Sequence, residues 1–497
     1  MGAYMRRREF IEQALCFGTA FSVPAMHAAE YADIFGEERM RLGVLSDIHV
    51  ATEEQLPYVE MAFRFFDGWK ADAILACGDL ADYGLEVELK FLADTWFKVF
   101  PDGRRSDGAP MVNLMHYGDH DMVNPLLYVD KPAIVNRWPD REFRIRDAMF
   151  THRKESWERC FKEPWEPIVL REVKGYPFVL SHFTRGEPGN ERGNNVPGLE
   201  KFLANLKFDP SKPLFYSQHR IPRNTVCGDK VYGQDDGTTA RIFSSYPNLI
   251  ALCGHAHMNG VYEKSIWQDN FTCIAVPSLR YNTTMGGREN CYSIPDRKLK
   301  VTRYMRTLDT KPGHQGFLFR LLDRALVVSR RDLVSGGRLG PDWVVPFASF
   351  GAKPSDKPFN YRRRVKTMPV PEFAAGTKVS VLPKKYARDR KRVKHLMTPV
   401  EFPPVLAKAA EPRPNDYEVS LEQKFGDKVK VLVKRRVYSP KYVAAEKFDV
   451  ENVCCLFPQL DFPKDGGTVR FAVRPCNAFG RHGKPIHSDW VDLKEEG

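Results

Sequence analysis

The stretch MVNLMHYGDHDM, residues 111–122, passes directly from an apolar run into a polar cluster. The run 111–115 has the composition of a buried strand, and Asp119, His120 and Asp121 follow it within a few positions. Taken alone, an Asp/His cluster after a strand is typical of a turn exposed to solvent. The meaning of this stretch therefore depends on whether other strands of the chain end in the same way.

Four other apolar runs end in a similar polar tip. They are 42–45 followed by SDIH, 73–77 followed by GDLAD, 214–216 followed by SQH, and 249–253 followed by GHAH. Helix-like segments lie between the runs, a pattern typical of β-α-β units and a mainly parallel sheet. Parallel strands bring their carboxyl ends to one edge, where α/β folds place ligands. We therefore expect the five tips to meet, although some lie more than 200 positions apart.

The tips together carry three carboxylates and four imidazoles that could bind metal. Each of these residues alone is typical of a turn or a core, but five such tips in one order favour a metal centre. Carboxylate and imidazole ligands suit Zn, Mn and Fe, and seven of them are enough for two ions. The candidate ligands are Asp47, His49, Asp79, Asp119, His219, His255 and His257.

The order D-x-H, G-D-x-x-D, G-x-H-D, a lone His and G-H-x-H resembles the calcineurin-like metallophosphoesterase superfamily over residues 38–350. The resemblance implies a metal-dependent phosphoric ester hydrolase of α/β class, with a four-layer β-sandwich flanked by helices. It also implies two ions, drawn from Fe, Mn or Zn. The implied division places one ion on Asp47, His49 and His257, and the other on Asp119, His219 and His255, with Asp79 bridging.

The same resemblance assigns catalytic roles to His120 and Asp121. In the family, a hydroxide that bridges two ions about 3.5–4 Å apart attacks phosphorus in line with the leaving group. His120 matches the histidine that binds no metal, contacts the phosphate and protonates the leaving group, with Asp121 orienting its imidazole. We therefore expect hydrolysis of phosphomonoesters or phosphodiesters, and the motifs leave this choice open.

Asp119 departs from the family pattern, which usually has Asn at this position. Three ligand carboxylates and a hydroxide would cancel the charge of two divalent ions completely, and a neutral site attracts phosphate less strongly. We therefore expect either a trivalent ion such as Fe(III) or a nearby cation, for which Arg220 is the best candidate. The purple acid phosphatase branch usually carries Tyr at the position of Asp82, so its charge-transfer tyrosine is missing from that position here.

Three basic side chains are candidate substrate contacts. Arg220 follows His219 directly, and His182 and Arg185 follow the apolar run 178–180 in the stretch SHFTRGE. Their position at strand ends predicts that they lie near the metal ligands. Direct contact of His182 or Arg185 with a substrate is the weaker of these expectations.

The net charge of +12 is concentrated in one region. Residues 351–450 hold 24 Lys and Arg against 11 Asp and Glu, so the rest of the chain is nearly neutral. Such runs are typical of solvated loops and protected strand edges, and they can also hold an anionic polymer or an anionic surface. The chain has no run of 18 apolar residues, so we expect no membrane-spanning helix.

The pattern of the chain changes near residue 375. With 497 residues the chain is long enough for two to four domains. Residues 351–375 are rich in Pro and Lys and are predicted to be a linker. Residues 376–497 alternate short strands with turns, and the stretch VRFAVRPCNAFG resembles the end of a fibronectin type III module. We therefore expect an all-β, immunoglobulin-like sandwich there.

The amino terminus resembles a bacterial twin-arginine export signal. Arg7 and Arg8 precede Glu9, Phe10 and Ile11, and a short apolar stretch follows. We predict that residues 1–29 are an export signal and that the protein is periplasmic or extracellular, with a frayed basic amphipathic helix as the alternative. Most of the ten cysteines lie singly in apolar runs and are predicted to be buried.

Two other functions compete with a phosphatase. One is a non-catalytic surface or binding protein that uses the basic C-terminal sandwich. The other is a nuclease or a phospholipid-headgroup hydrolase, in which the same positive charge binds an anionic substrate. The complete ligand set, with His120 and Asp121 also present, favours an enzyme.

Overall fold

The computed structural model describes residues 22–23, 28–122, 146–184, 198–229, 231–292, 304–310, 313–347, 357–389, 391–407, 412–445 and 451–493. Its helices are α1 (Ala28–Phe35), α2 (Leu56–Gly68), α3 (Glu86–Val99), α4 (Arg146–Phe161), α5 (Leu199–Asn205), α6 (Thr238–Phe243) and α7 (Tyr361–Thr367). Within the described ranges, no helix has both the length and the apolar character needed to cross a membrane.

The first sheet has seven strands. In spatial order they are β1 (Ser22–Val23), β13 (Asp342–Pro346), β12 (Ala325–Asp332), β11 (Gln315–Leu322), β2 (Glu38–Leu45), β3 (Ala73–Cys77) and β4 (Val112–His116). Strands β2, β3 and β4 are parallel, and the remaining pairs are antiparallel. All five residues of β3 are buried, as expected for a continuous apolar run covered on both faces.

The second sheet has six strands. In spatial order they are β5 (Ile168–Val173), β6 (Tyr176–Ser181), β7 (Leu214–Ser217), β8 (Leu249–Cys253), β10 (Thr272–Ala275) and β9 (Ile266–Gln268). Strands β6, β7, β8 and β10 are parallel. The apolar runs of the chain therefore form two sheets, as the four-layer sandwich implied by the family resemblance requires. Periodicity predicts strands but not which strands pair, because pairing depends on tertiary contacts.

The two sheets pack face to face between layers of helices. Leu75 and Phe317 of the first sheet share one apolar cluster with Phe178 and Leu252 of the second. Helices α2 and α3 cover the outer face of the first sheet, and α5 and α6 cover that of the second. The buried residues of α2 follow helical spacing, at Val59, Ala62, Phe63 and Phe66. This arrangement confirms the four-layer α/β sandwich.

The C-terminal part is all-β and forms two further sheets. One contains β14 (Ser380–Val381), β15 (Lys385–Arg388), β16 (Lys394–Phe402) and β19 (Val453–Pro458). The other contains β17 (Asp416–Phe425), β18 (Lys428–Val437), β20 (Gly467–Cys476), β21 (Ile486–His487) and β22 (Val491–Leu493). Every pair is antiparallel, and Phe402, Tyr417 and Phe471 share one core. These sheets are consistent with an immunoglobulin-like sandwich, and the likeness to fibronectin type III stays a prediction.

The range 351–375, predicted to be a linker, contains helix α7. Arg364 of this helix is buried and donates to the carboxylate of Glu263 at 2.6 Å. Glu263 is also buried, and it pairs with Arg330 at 2.9 Å. The described part of the range is therefore a packed connection rather than an exposed spacer. The proposed domain boundaries at 38–350 and 376–497 stay predictions.

Two other sequence-based expectations concern the amino terminus and the cysteines. Most of the predicted export signal, residues 1–29, lies outside the described residues, apart from strand β1 and the start of α1. Of the nine cysteines in the described ranges, eight are buried, as expected for small apolar side chains.

Replacing Arg364 with Ala should destabilise the fold. The substitution removes one of two counter-charges from the buried carboxylate of Glu263, which should cost ~3 kcal/mol of unfolding free energy. Urea unfolding of the full chain measures this loss. Arg362→Ala, an exposed position on the same helix, is the control and should change stability by ~0.5 kcal/mol or less. Equal losses of unfolding free energy in the two variants would show that the buried pair of Arg364 and Glu263 adds no stability beyond that of an exposed arginine.

Candidate metal centre

The five polar tips follow parallel strands of both sheets. Three come after β2, β3 and β4 of the first sheet, and two come after β7 and β8 of the second. The register pairs Leu45 with Ala76 and Ala76 with Met115, so the first three strands end side by side. The carboxyl ends of the two sheets therefore meet at one edge of the sandwich, and residues from distant parts of the chain come into contact there.

The backbone is strained at most of these tips. Five of the seven candidate ligands have positive φ angles: Asp47 (49°), His49 (48°), Asp79 (53°), His255 (66°) and His257 (51°). A non-glycine residue in this left-handed region costs about 1–2 kcal/mol. Hydrogen bonds between tips hold this conformation, for example from the Asp47 amide to the Gly78 carbonyl at 3.1 Å. Strain concentrated in this way is typical of functional sites.

Two glycines allow the tips to approach one another closely. A Cβ atom at Gly78 would lie 2.7 Å from the Cα atom of Gly118 and 2.7 Å from Nδ1 of His219. A Cβ atom at Gly254 would lie 2.6 Å from Oδ2 of Asp47. These distances are too short for any side chain, so the glycines of the G-D and G-H motifs are required by the packing of the ligands.

The seven candidate ligands form two groups that share Asp79. In each group the ligand atoms lie within 4.8 Å of one another. The first group contains Asp47, His49, Asp79 and His257, and the second contains Asp79, Asp119, His219 and His255. This is the division that the family resemblance implies. The structure therefore brings all seven residues together.

Hydrogen bonds on the outer side of the imidazoles set their tautomers. Each outer Nδ1 faces an oxygen: His49 faces Oδ1 of Asp82 at 3.0 Å, His257 faces the Tyr281 carbonyl at 3.0 Å, and His219 faces the Cys77 carbonyl at 2.7 Å. Since Nδ1 must donate to these acceptors, the Nε2 atoms of these three rings point inward, where a neutral ring offers a lone pair, whereas His255 faces the site through Nδ1. Nε2 of His49 and Nε2 of His257 face each other at 3.1 Å. Inward lone pairs beside three carboxylates fit two metal ions.

Neighbouring imidazoles keep the buried carboxylates ionised. Burial acts to raise the pKa of Asp79, but the charges of His219 and His120 outweigh it and lower the pKa. Burial likewise acts to lower the pKa of His120, and Asp79, Asp82 and Asp119 raise it to about 10. The site therefore carries an excess of negative charge, and the neighbouring carboxylates accordingly raise the pKa of His120, His219 and His257. Bound cations would offset this charge.

Arg220 supplies the nearby cation expected from the presence of Asp119. Its guanidinium donates to Oδ2 of Asp119 at 2.8 Å and lies over the ring of Phe183 at 5.3 Å. The other oxygen, Oδ1, faces His219 at 3.0 Å and His255 at 3.1 Å. Asp119 can thus offer one oxygen to a metal ion while Arg220 offsets the extra charge. The alternative of a trivalent ion stays a prediction.

His120 lies beside the ligands as predicted, but Asp121 does not orient it. The Nδ1 atom of His120 donates to the backbone carbonyl of Asp82 at 2.8 Å. The carboxylate of Asp121 instead accepts from the amides of Leu80, Ala81 and Gly118, at 3.1, 2.7 and 2.7 Å. Asp121 therefore joins the tips after β3 and β4, and its predicted role as the orienting group was wrong.

His182 is a core residue rather than a substrate contact. It is buried, its Nδ1 accepts from the Tyr117 amide at 3.0 Å, and the rings of Trp157 and Trp165 pack against it. Burial lowers the pKa of His182 well below its usual value, which suits a neutral ring that accepts at Nδ1. Its predicted contact with substrate was therefore wrong. Arg185 lies outside the described residues.

Sequence reasoning missed three residues that contact the ligands. Asp82 binds His49 through its side chain and His120 through its carbonyl. The Tyr281 ring packs against His257 at a tilt of 32° with ring centroids 4.3 Å apart, and Tyr232 stacks on His255 at 5.1 Å. Asp82 could have been found as the last residue of GDLAD. The two tyrosines lie in loops and follow no motif, so the sequence carried no signal for them.

Comparison with known proteins supports this assignment of the domain. The sequence model of the family described as calcineurin-like phosphoesterase matches residues 40–259. A search of curated proteins finds no match.

Solved structures with a similar chain come from several organisms. A dimetal phosphatase from Danio rerio has 9% identity and a TM-score of 0.36, and the alignment covers 63% of this chain and 100% of the Danio rerio chain. GAP50, the anchor in the inner membrane complex of Plasmodium, has 10% identity, covers 63% and 90%, and has a TM-score of 0.37. Purple acid phosphatase PPD1 from yellow lupin, Lupinus luteus, has 12% identity, covers 64% and 56%, and has a TM-score of 0.36. The assignment of the domain rests on the family match.

Substitutions of Asp119 and Arg220 should change metal affinity in opposite directions. Asp119→Asn removes a ligand charge and should weaken binding of a divalent ion at the second group by about tenfold. Arg220→Met removes a competing positive charge and should strengthen it. Competition with a chelator, followed by metal analysis, measures both changes. Asp94→Asn, at an exposed position, is the control, and unchanged metal content, affinity and turnover in Asp119→Asn would contradict the charge argument.

Proposed function

Because residues 40–259 form a calcineurin-like phosphoesterase domain, a metal-dependent hydrolase of phosphoric esters, we propose that the protein uses two metal ions to hydrolyse phosphomonoesters or phosphodiesters. The observation that carries this proposal is the pair of four-residue ligand groups that share Asp79. One shared carboxylate would allow two ions to lie side by side at this edge of the sandwich. A phosphate ester could then contact both ions together.

The residues around the expected ions position the candidate ligands and offset their charge. Two bound cations would activate water for attack on phosphorus and offset charge on the attacking and leaving oxygens. Asp79 belongs to both groups, and the buried Asp47 carboxylate lies 3.1 Å from Nε2 of His257. Arg220 holds the second oxygen of Asp119. Contacts with neighbouring side chains thus fix the positions of the candidate ligands before any substrate binds. The ligands therefore need not rearrange during the reaction.

His120 is placed to donate a proton to the leaving group. With Nδ1 donating to Asp82, its Nε2 points toward the ligand groups and lies 4.0 Å from Oδ2 of Asp79. The side chain is 33% exposed, whereas those of His49 and His219 are buried. A histidine at the rim of the site can reach the oxygen that leaves phosphorus and can exchange its proton with solvent.

Replacing His120 with Ala should lower turnover and leave the metal content unchanged. A general acid is worth roughly 10²–10⁴ in rate, and the loss should be smaller for substrates whose leaving groups need no proton, such as nitrophenolate. Metal analysis of the variant, together with steady-state kinetics, tests this role. Loss of a metal ion along with activity would show that His120 is a ligand.

Metal analysis combined with a substrate panel tests the proposed function as a whole. The panel contains p-nitrophenyl phosphate, bis-p-nitrophenyl phosphate, a cyclic nucleotide and a phospholipid. We expect two ions per chain, activity that is lost on chelation and restored by Fe, Mn or Zn, and a clear preference for monoesters or diesters. A metal-loaded protein without activity on the entire panel would favour the non-catalytic alternative.

We also propose that the protein is exported by the twin-arginine route to the periplasm or the medium. The proposal rests on Arg7 and Arg8 and the apolar stretch that follows them. Export of a fused reporter from a bacterial host should stop when both arginines are replaced with Lys. Continued export of the doubly substituted fusion would exclude this route.

A second candidate function, hydrolysis at an anionic polymer or surface, is favoured by the hairpin of β15 and β16. Its exposed cations are Lys384, Lys385, Arg388, Lys391, Arg392 and Lys394. The acidic residue in the turn, Asp389, accepts from the amides of Lys391 and Val393, at 2.8 and 2.9 Å. Its carboxylate is therefore engaged within the turn, and the cations dominate the surface of the hairpin.

Neutralising this hairpin should weaken binding to a polyanion but not hydrolysis of a small substrate. The variant carries Lys385→Gln, Lys391→Gln and Lys394→Gln, and the control carries Gln at three exposed lysines elsewhere, Lys90, Lys98 and Lys428. If the hairpin binds polyanions, the salt dependence of binding to a nucleic acid or to anionic vesicles should become shallower only in the first variant. Equal behaviour of the two variants would exclude the hairpin as a binding site.

A further inference from the structure

One loop, residues 281–292, connects the metal centre to the C-terminal sheets. At its first end the Tyr281 carbonyl accepts from Nδ1 of His257 at 3.0 Å, and the two rings pack at a tilt with centroids 4.3 Å apart. The Thr283 amide donates to the His257 carbonyl at 2.6 Å, and the Thr283 hydroxyl donates to the Ala256 carbonyl at 2.8 Å. This end of the loop therefore holds both the backbone and the ring of one metal ligand.

At its other end the loop pairs with strand β18 and the residue that follows it. The Asn290 side chain donates to the Tyr438 carbonyl at 3.0 Å and accepts from the Tyr438 amide at 2.9 Å. The Glu289 amide donates to the Arg436 carbonyl at 2.8 Å, and the Tyr438 hydroxyl donates to the Met285 carbonyl at 3.1 Å. These bonds resemble the pairing of an added strand, with a side-chain amide in place of a peptide group.

Buried charges reinforce the same junction. Arg435 donates to Glu289 at 2.6 Å and to Asp461 at 2.6 Å. Asp416, which is fully buried, pairs with Arg288 of the loop and with Arg436 at 2.5 Å. Separating the loop from the C-terminal sheets would remove Arg288 from the buried carboxylate of Asp416 and Arg435 from the buried carboxylate of Glu289, and removing a partner from a buried charge is destabilising. The junction therefore resists opening and holds the loop in one conformation.

We infer that the C-terminal sheets position His257, and with it the first metal group, through this loop. The loop contains no helix or strand in its described residues. Its two ends are joined inside the loop, where the Thr284 amide donates to the Tyr292 carbonyl at 2.6 Å and the Tyr292 amide donates to the Thr284 hydroxyl at 2.9 Å. Asn290 and Glu289 are then positioning residues, because they touch neither a metal ligand nor the reacting atoms. The inference deepens the proposed function, since it concerns the same two-metal site, and it gives the basic C-terminal part a role in the chemistry.

A second contact between the C-terminal sheets and the rest of the chain provides a matched comparison. Arg481 donates to the carbonyls of Lys366 and Met368, at 2.8 and 3.1 Å. These are also side-chain bonds to backbone carbonyls between distant parts of the chain, but they reach the end of helix α7 and not the loop. Removing Arg481 therefore weakens the same association without disturbing the support of His257.

The test compares Asn290→Ala with Arg481→Ala in the full chain loaded with Co(II). Loss of an orienting contact outside the ligands typically weakens metal binding by 10–100-fold, and we expect about tenfold for one of the two ions in Asn290→Ala. Chelator competition gives the affinities. The Co(II) absorption spectra of His257→Ala and His219→Ala identify which ion is weakened, and Asn290→Ala should match His257→Ala. Arg481→Ala should keep both affinities.

The thermal midpoint of each apo variant separates positioning from simple stability. Equal thermal midpoints of the two variants, together with a weaker metal affinity in Asn290→Ala alone, would support the inference. Similar metal affinities in the two variants would overturn it, whatever their midpoints. If Asn290→Ala does not fold, Tyr438→Phe removes only the bond to Met285 and is judged by the same spectra, with a smaller shift expected. Because metal binding is measured rather than turnover, a failure of the proposed function would be seen separately in the substrate panel.

Discussion

Three carboxylates crowded at one edge of two packed sheets are the constraint around which this structure is organised. Asp79 lies close to both Asp47 and Asp119, and because Asp47 and Asp79 are buried and Asp119 is half-buried, water screens their repulsion poorly. Such a cluster is stable only if positive charge is held among its members. That positive charge can come from three sources, which are the imidazoles that face the carboxylates, the guanidinium of Arg220 and the two expected cations.

The local backbone follows from the same requirement. To turn carboxylates and imidazoles into one small volume, five ligand residues take left-handed backbone angles, and Gly78 and Gly254 leave room where no side chain fits. This strain is offset by hydrogen bonds between neighbouring tips and by apolar packing of the strands beneath them. The sandwich thus acts as a rigid base that holds an unfavourable arrangement in place, as expected for a preorganised site.

Residues outside the two ligand groups hold the candidate ligands in place and offset their charge. Arg220 offsets the charge that Asp119 adds, and Asp82 links a metal ligand to His120. The loop 281–292 extends this support to the C-terminal sheets, and helix α7 joins the same parts through Glu263 and Arg364. The ligands are therefore fixed by elements from most of the described chain, so a substitution far from the metal centre can alter it.

The order of the five polar tips was enough to predict the seven candidate ligands and the α/β class of the first domain, and the family resemblance implied the division of the ligands into two groups. Arg220 was the best candidate for one of two predicted ways to offset the charge of Asp119. These features are local or follow directly from strand order, because a strand and the residues after it are adjacent in sequence. The sequence could not show which tips belong to which sheet, that Asp121 binds backbone amides, or that His182 is buried among aromatic rings. It also could not show the support that Asp82, Tyr281 and Asn290 provide. Those features depend on which strands pair and on how loops pack, and such contacts join residues whose separation in the chain carries no pattern.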